Sequence, residues 1–265
     1  MGLRTIVLSG IAVTGITFLA ACNGNGTEKD TMYQVATLQS LMVGNYDGYV
    51  GIGELKKHGD IGLGTFDRVN GEMIVLDGTV YQALGNGTVK TAPDSETTPF
   101  STVTWFEPDI SAQLSPFDNM ASLSGQLDSI VNANGCNFIY ALRLDVSTES
   151  VTFRSEDPME KPYSPLAEVL PVKQNEFTFK NMSGTVVAVR FPAFFAGQNT
   201  PGWHFHFISE DRTLGGHMLE ISSCQTPTAQ LDATTSFNMY LPEDDKFSRR
   251  NLSDDMSEDI RKVEQ

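Results

Sequence analysis

Three of the four histidines in this 265-residue chain lie close together, in the stretch GWHFHFISEDRTLGGH. The alternation in WHFHF has the period of two that is typical of a β-strand, so His204 and His206 should project from one face and the aromatic residues from the other. SEDRTLGG is rich in turn formers, and HMLEIS resumes an apolar run, so the pattern predicts a hairpin. A turn centred on Asp211 and Arg212 would place His217 directly opposite His206. The sequence therefore predicts that three imidazoles converge.

Converging imidazoles indicate a metal site, because protonated rings so close together would repel each other. Three protein nitrogens with an open fourth position are typical of catalytic zinc, whereas structural zinc sites are closed by four ligands that usually include cysteine. Cys136 and Cys224 are too far apart for a C-x-x-C pair. Zn²⁺ is the first expectation, and Fe(II), Mn or Ni could use similar ligands. The alternative is that each histidine is a hydrogen-bonded structural residue.

The first residues have the features of an export signal. Arg4 precedes the apolar run TIVLSGIAVTGITFLA, and LAAC at Leu19–Cys22 resembles a bacterial lipobox, in which cleavage precedes a cysteine that is then acylated. We therefore predict a lipoprotein signal peptide over residues 1–21 and a flexible tether over 22–31. The protein would be exported and anchored to a membrane only through Cys22, facing the periplasm or the cell surface. An ordinary secretory signal, giving a secreted protein, is the alternative.

The charge balance excludes one large class of partners. The chain has 33 acidic and 18 basic residues and a formal net charge of −15, without a basic patch. Nucleic acid is therefore not an expected partner. Cys136 and Cys224 could pair in an oxidising compartment or remain buried thiols, and the sequence leaves both readings open.

The elements that must position the histidines indicate an α+β fold with two sheet-rich lobes, mostly antiparallel or mixed β-structure and a few short helices. We predict an N-terminal α+β lobe over residues 32–163, a C-terminal β lobe with the histidine site over 164–242, and an acidic tail over 243–265. The predicted helices are Met32–Gly44, Ser115–Val131 and Ser164–Leu170, with Ser164 as N-cap and Pro165 in the first position. The predicted strand pairs are Asn137–Ser147 with Ser150–Ser155, and a hairpin within Glu176–Pro192 that turns at Ser183–Gly184.

Three separated blocks resemble the bacterial alpha-acetolactate decarboxylase family. They are the histidine stretch, HGDIGLGTFDRVNGEMIVLDG (His58–Gly78) and TPFSTVTWFEP (Thr98–Pro108), and the resemblance extends over Met32–Gln265. It implies conversion of 2-acetolactate to acetoin and CO₂ by a carboxy-lyase, and a homodimer. It also implies a zinc ion held by the three histidines and three further site residues: Glu72 in NGEM, Arg154 in VTFRS, and Glu264 one residue before the end of the chain.

These residue types suit decarboxylation of a β-keto acid. Loss of CO₂ moves an electron pair toward the ketone and gives an enediolate, whose charge a Lewis acid would stabilise. Arg154 would hold the carboxylate in a bidentate pair. Glu72 or Glu264, as a carboxylic acid, would protonate the enediolate carbon. Without the resemblance, Glu72 would be interpreted as a solvated turn residue and Arg154 as a surface cation.

Three other readings of the histidines stay open in the sequence. HFHFISE matches the H-x-H-x₃-E opening of a cupin metal motif and would indicate a non-haem metal oxygenase, although the last cupin histidine normally lies on a later strand. HFH is also similar to the first zinc ligands of α-carbonic anhydrase, but the third ligand lies too close in sequence. A lipid-anchored zinc-binding protein that scavenges metal would need neither Arg154 nor Glu72.

Overall fold

A computed structural model describes residues 29–264, which form two large β-sheets, a two-stranded sheet, six α-helices and two short 3-10 helices, Asp67–Val69 and Ala193–Phe195. The strands are β1 (Thr31–Val35), β2 (Val50–Gly51), β3 (Ile61–Thr65), β4 (Glu72–Leu76), β5 (Thr79–Ala83), β6 (Val89–Thr91), β7 (Thr97–Thr98), β8 (Ser101–Thr104), β9 (Ile110–Gln113), β10 (Ile139–Ser147), β11 (Ser150–Glu156), β12 (Gln174–Lys180), β13 (Ser183–Phe191), β14 (Gly202–Ser209), β15 (Gly215–Ser222), β16 (Thr228–Thr234) and β17 (Ser236–Tyr240). The helices are α1 (Leu38–Met42), α2 (Ile52–Leu55), α3 (Met120–Asn134), α4 (Leu166–Lys173), α5 (Asp245–Ser248) and α6 (Ser257–Glu264). The expected α+β class, dominated by strands, is confirmed.

The two large sheets are built from different sets of strands. The seven-stranded sheet has the order β17-β1-β8-β3-β4-β5-β6, and all its pairs are antiparallel except β1 with β17. The eight-stranded sheet has the order β12-β11-β15-β14-β13-β10-β16-β9. Because β9, β10 and β11 belong to the same sheet as β12–β16, the predicted boundary between residues 163 and 164 does not separate the sheets.

The sheets pack face to face, and the histidine strand lies at their interface. Ile74 and Leu76 of β4 join Val187, Val189 and Ile208 of the eight-stranded sheet in one apolar cluster. The opposite face of β14 carries Trp203, Phe205 and Phe207, which pack in the cluster that contains α3. The predicted alternation of β14 is therefore confirmed: the aromatic residues face α3 and the histidines face the other sheet.

Helix α3 confirms that this stretch is helical, although it begins at Met120, five residues after the predicted start, and ends at Asn134. The Asn119 side chain accepts a hydrogen bond from Ser122 N at the N-terminus. Leu123, Leu127 and Val131, spaced by four residues, are buried on one face. The helix ends at Gly135, where φ is +132°, a conformation that glycine adopts without steric cost.

Two predicted strand pairings are wrong, because the eight-stranded sheet curls. β10 pairs with β13 and β16, not with β11, and β12 pairs with β11, not with β13. Only residues 148 and 149 separate β10 from β11, so the link spans at most about 11 Å. Four strand spacings on a flat sheet would measure about 19 Å. The strand ends must therefore be brought together by curvature.

Two helix predictions also need correction. Only Leu38–Met42 of the predicted helix Met32–Gly44 is helical, since Thr31–Val35 instead extends the seven-stranded sheet between β8 and β17. Helix α4 begins at Leu166 with Pro165 as the capping residue, so the predicted start was one residue too early. Pairing with two strands outweighs the weak helical pattern of an isolated segment.

The acidic end of the chain folds back onto the body. Ile260 and Val263 of α6 are buried in an apolar cluster with Leu41 of α1 and with Leu166 and Leu170 of α4. These three short helices cover one end of the interface between the sheets.

The remaining sequence predictions concern the N-terminal signal peptide, the cysteines and membrane-spanning helices. The signal peptide, Cys22 and most of the tether lie outside the described residues. Cys136 and Cys224 are exposed and do not form a disulfide, so neither is the buried thiol that the sequence allowed. No helix within residues 29–264 is long and apolar enough to cross a membrane.

Candidate metal centre and active-site cavity

The hairpin of β14 and β15 brings the three histidines together as predicted. His206 pairs directly with His217 across the hairpin. His204 Nε2 lies 3.1 Å from His206 Nε2 and 3.0 Å from His217 Nδ1. Within the described residues, these side chains form a group of candidate ligand atoms that all lie within 4.8 Å of one another. All three residues are buried, with exposures of 0–5%.

The surroundings of the rings favour neutral imidazoles with lone pairs directed at a common centre. His206 Nδ1 lies 2.8 Å from Met73 O, and a carbonyl only accepts, so this nitrogen carries the proton and Nε2 is free to coordinate. Burial, followed by the charge of Arg154, lowers the pKa of His204 to about 3. Burial also lowers the pKa values of His206 and His217. Neutral nitrogens are the form that binds zinc and related divalent metals, so the donor set fits such an ion.

Arg154 is brought to this centre by strand pairing. It lies opposite His217 in the register of β11 with β15 and is 6% exposed. A register shift in this pair, after Thr152, leaves Leu219 of β15 without a partner on β11. Because of this β-bulge, the side chains of β15 before and after Leu219 alternate between the two faces of the sheet in opposite order. Ile221 therefore faces the α3 cluster, while His217, an even number of residues away, faces the cavity.

The guanidinium of Arg154 contacts three different elements. Nη1 donates to Gln174 Oε1 at 3.2 Å, and Nη2 donates to the carbonyl of Val263 on α6. Nε lies 3.4 Å from Oε1 of Glu156. The close approach of β11 and β15 depends on Gly216, where a Cβ would lie 2.2 Å from the carbonyl oxygen of Arg154.

Glu72 reaches the centre from the seven-stranded sheet. It is the first residue of β4, and its Oε2 lies 3.5 Å from His206 Nε2. Gly71, which precedes it, has a φ of +81° and passes so close to Ala83 that a Cβ would lie 2.0 Å from the Ala83 carbonyl oxygen. The glycine of the NGE motif is therefore a backbone requirement for placing this carboxylate. Burial, followed by the charge of Glu156, raises the pKa of Glu72.

Glu264 reaches the centre from α6. Its Oε2 lies 3.2 Å from His204 Nε2, and the residue is 8% exposed. Burial raises the pKa of its carboxyl to about 7. The burial of Val263 beside it fixes the end of the helix, so Glu264 is not frayed despite its position one residue before the end of the chain.

Glu156 is a site residue that the sequence reading missed. It is 1% exposed and lines the same cavity as Glu72, Arg154 and Glu264. Burial raises the pKa of its carboxyl. The signal was present, because residues two apart on a strand share a face, and a residue two positions after Arg154 on β11 should enter the same site.

The cavity has a polar side and an apolar side. Its volume is about 30 Å³, which is room for one or two water molecules beside the histidines. The polar side carries the charged and metal-binding candidates: Glu72, Arg154, Glu156, His204, His217 and Glu264. The apolar side is lined by Leu41, Val69, Phe100, Leu166, Leu170 and Val263. Glu210, the glutamate of the H-x-H-x₃-E pattern, is exposed and takes no part in this site. The arrangement suits a small anionic substrate with short alkyl groups, next to a metal ion.

Comparison with known proteins gives a consistent result along almost the whole chain. The family model for alpha-acetolactate decarboxylase matches residues 32–254. A protein of that name from Methanosarcina mazei is 41% identical over 235 residues, covering 89% of this chain and 80% of the relative. One from Bacillus subtilis strain 168 is 33% identical, covering 88% and 90% of the two chains. The crystal structure of the alpha-acetolactate decarboxylase from that strain superimposes with a TM-score of 0.84, covering 88% of this chain and 99% of that one. The chain belongs to the alpha-acetolactate decarboxylase family, a family of carboxy-lyases.

Proposed function

We propose that this protein converts 2-acetolactate to acetoin and CO₂ with a divalent metal ion, Zn²⁺ in the first instance, bound by His204, His206 and His217. The observation that carries the proposal is the convergence of three buried imidazole nitrogens beside a buried arginine. A bound ion would supply Lewis-acid stabilisation to substrate oxygens that gain negative charge. Membership in the alpha-acetolactate decarboxylase family supports this choice of reaction.

Arg154 is the residue we assign to the substrate carboxylate. The substrate is an anion, and the other charged side chains that line the cavity are carboxyl groups. A planar guanidinium binds a carboxylate through two parallel hydrogen bonds, which fix the direction of the bond that will break. Held so that this bond stands perpendicular to the ketone plane, the substrate can pass its electron pair into the carbonyl as CO₂ leaves.

A carboxylic acid completes the reaction. Breaking the C–C bond leaves an enediolate, and one proton added to the carbon that carried the carboxylate gives acetoin. Glu72 reaches the site from β4 and Glu264 from α6, and burial raises the pKa of each, which favours the protonated form that a proton donor needs. Separate Glu72→Gln and Glu264→Gln variants, analysed for the enantiomer of acetoin formed, would identify the donor.

The function is tested by measuring acetoin from 2-acetolactate under nitrogen, without added organic cofactor, together with the metal content. We expect acetoin and CO₂ in equal amounts, which an oxygenase would not give without O₂. Zinc-loaded protein that forms no acetoin would contradict the proposal.

The ligand assignment is tested by replacing each of the three histidines with alanine. Each variant should lose most of its metal and its activity at equal protein concentration. His58→Ala is the matched control, because His58 stacks on Tyr33 away from the cavity and should leave metal content unchanged. Near-stoichiometric zinc in two of the three variants would refute the assignment.

We also propose that the protein is exported and acylated at Cys22. The support is the LAAC sequence and the tether that follows it. Cys22→Ala should move the protein out of the membrane fraction, and mass spectrometry of the mature N-terminus should find the lipid. An unmodified mature N-terminus would contradict this assignment.

A homodimer is proposed on the basis of the family resemblance and the exposed edge strands β6, β9, β12 and β17. Sedimentation equilibrium should give twice the mass of the mature chain.

A further inference from the structure

Glu156 is an unusual residue for the interior of a protein. It is 1% exposed, and within residues 29–264 neither its carboxylate oxygens nor Arg154 Nε makes a hydrogen bond of ordinary geometry, although the carboxyl interacts with that of Glu72. Its ion-pair partner is Arg154, whose Nε lies 3.4 Å from Oε1. Burying an ion pair is often no better for stability than a hydrophobic pair of similar volume. Stability alone therefore does not explain a carboxylate at this position.

The contact with Nε has a geometric consequence for the whole guanidinium. The group is planar and rigid, so fixing Nε and one terminal nitrogen fixes the plane. Nη1 is already held by Gln174, which lies opposite Glu156 in the register of β11 with β12. The two contacts together set the direction of Nη2, which reaches the Val263 carbonyl next to Glu264.

The side chains of Glu156 and Arg154 enter the cavity from the same face of β11. Because they are two residues apart on a regular strand, their backbone separation is fixed by the sheet. Glu156 and Arg154 thus project from the same strand, so their relative position is set by the backbone of β11. Gln174, by comparison, is the first residue of β12, directly after α4.

We propose that Glu156 is a positioning residue, which holds the Arg154 guanidinium through Nε in the orientation that binds the substrate carboxylate. This inference rests on the proposed function, because the carboxylate to be bound is that of 2-acetolactate. Glu156 itself need not touch the substrate, the metal or the reacting carbon.

A double-mutant cycle tests this role. Glu156→Gln keeps the size of the side chain and removes its charge, and it should lower kcat/KM about 10- to 100-fold by misplacing Arg154. In an Arg154→Lys background, which lacks the Nε contact, the same change should cost less than about threefold. Metal content should stay the same throughout. Glu149→Gln is the matched control, since Glu149 is exposed in the turn before β11 and does not line the cavity, and it should leave kcat/KM unchanged.

A spectroscopic measurement tests the contact without using activity. The Nε–H resonance of Arg154, identified by its loss in Arg154→Lys, should exchange with water about tenfold faster in Glu156→Gln. If the wild-type protein forms no acetoin, the proposed function fails, and this exchange rate still decides whether Glu156 holds Arg154. If Glu156→Gln does not fold, Glu156→Asp replaces it in both measurements, because its shorter side chain withdraws the carboxylate from Nε.

Three outcomes would overturn the proposal. The first is a Glu156→Gln variant with near wild-type kcat/KM and unchanged exchange. The second is an equal loss in both backgrounds, which would show that Glu156 acts independently of Arg154. The third is loss of metal from the variant, which would place Glu156 in support of the histidines instead.

Discussion

Arg154→Lys separates the geometry of the guanidinium from its charge. In the structure Arg154 uses three nitrogens, with Nη1 on Gln174, Nη2 on Val263 and Nε beside Glu156. Lysine has one nitrogen and cannot keep these contacts while also gripping a carboxylate at two points. The positive charge, however, remains in the cavity.

The magnitude follows from what is lost. Losing a bidentate, charge-assisted contact in a buried site should remove about 2–4 kcal/mol of transition-state stabilisation, which corresponds to a decrease of about 30- to 1,000-fold in kcat/KM. Metal content should be unchanged, because Arg154 is not among the three nitrogens that face the centre. Because lysine keeps the positive charge, a decrease of this size would come from the lost geometry of the guanidinium.

The assay is acetoin formation under nitrogen for wild type and variant, with zinc measured on the same samples. A variant within about threefold of wild-type kcat/KM would refute the carboxylate-binding role of Arg154 and leave the overall function standing. A variant that loses zinc would show instead that Arg154 supports the metal site.

Three further predictions concern stability. Gly216→Ala should lower the free energy of unfolding by about 1–3 kcal/mol, because its Cβ would collide with the backbone of Arg154. Gly125→Ala, on the exposed face of α3 with open space around it, should raise the free energy of unfolding by about 0.5–1 kcal/mol. Equal effects in denaturant titrations would contradict this reasoning. Burial raises the pKa of Asp232 to about 6, so the folded state binds its proton more tightly than the unfolded state and loses stability as the pH rises through about 6. Asp232→Asn should therefore raise Tm at pH 7.5 and not at pH 4, and an equal shift at both would count against it. Removing metal with a chelator should lower Tm by about 5–10 °C, and His206→Ala should abolish that shift; calorimetry that finds the shift retained would argue against this ligand.

The histidine site could be predicted from sequence because it depends on local geometry. The strand period places His204 and His206 on one face, and the short turn sets the pairing of His206 with His217. The same local reasoning found α3, whose cap and apolar spacing lie within one segment. Glu156 was within reach of this reasoning too, since it shares a strand face with Arg154.

Errors arose where distant segments compete for the same backbone hydrogen bonds. β10 and β11 are joined by two residues and look like a hairpin, yet each finds other partners across a curled sheet. Residues 31–35 form a strand because β8 and β17, from distant parts of the chain, are there to pair with them. Neither partner can be recognised from the local pattern.

By itself, the sequence determined the residue types of the site, the hairpin that joins the histidines, and the family to which the chain belongs. The tertiary structure decided that the acidic tail folds back to bring Glu264 within 3.2 Å of His204, and that β4 delivers Glu72 from the opposite sheet. It also decided the bulge at Leu219, which sends His217 and Ile221 to different faces of β15. The physical reason is that strand and helix periods fix only which residues share a face, whereas the packing of separate elements fixes which faces meet.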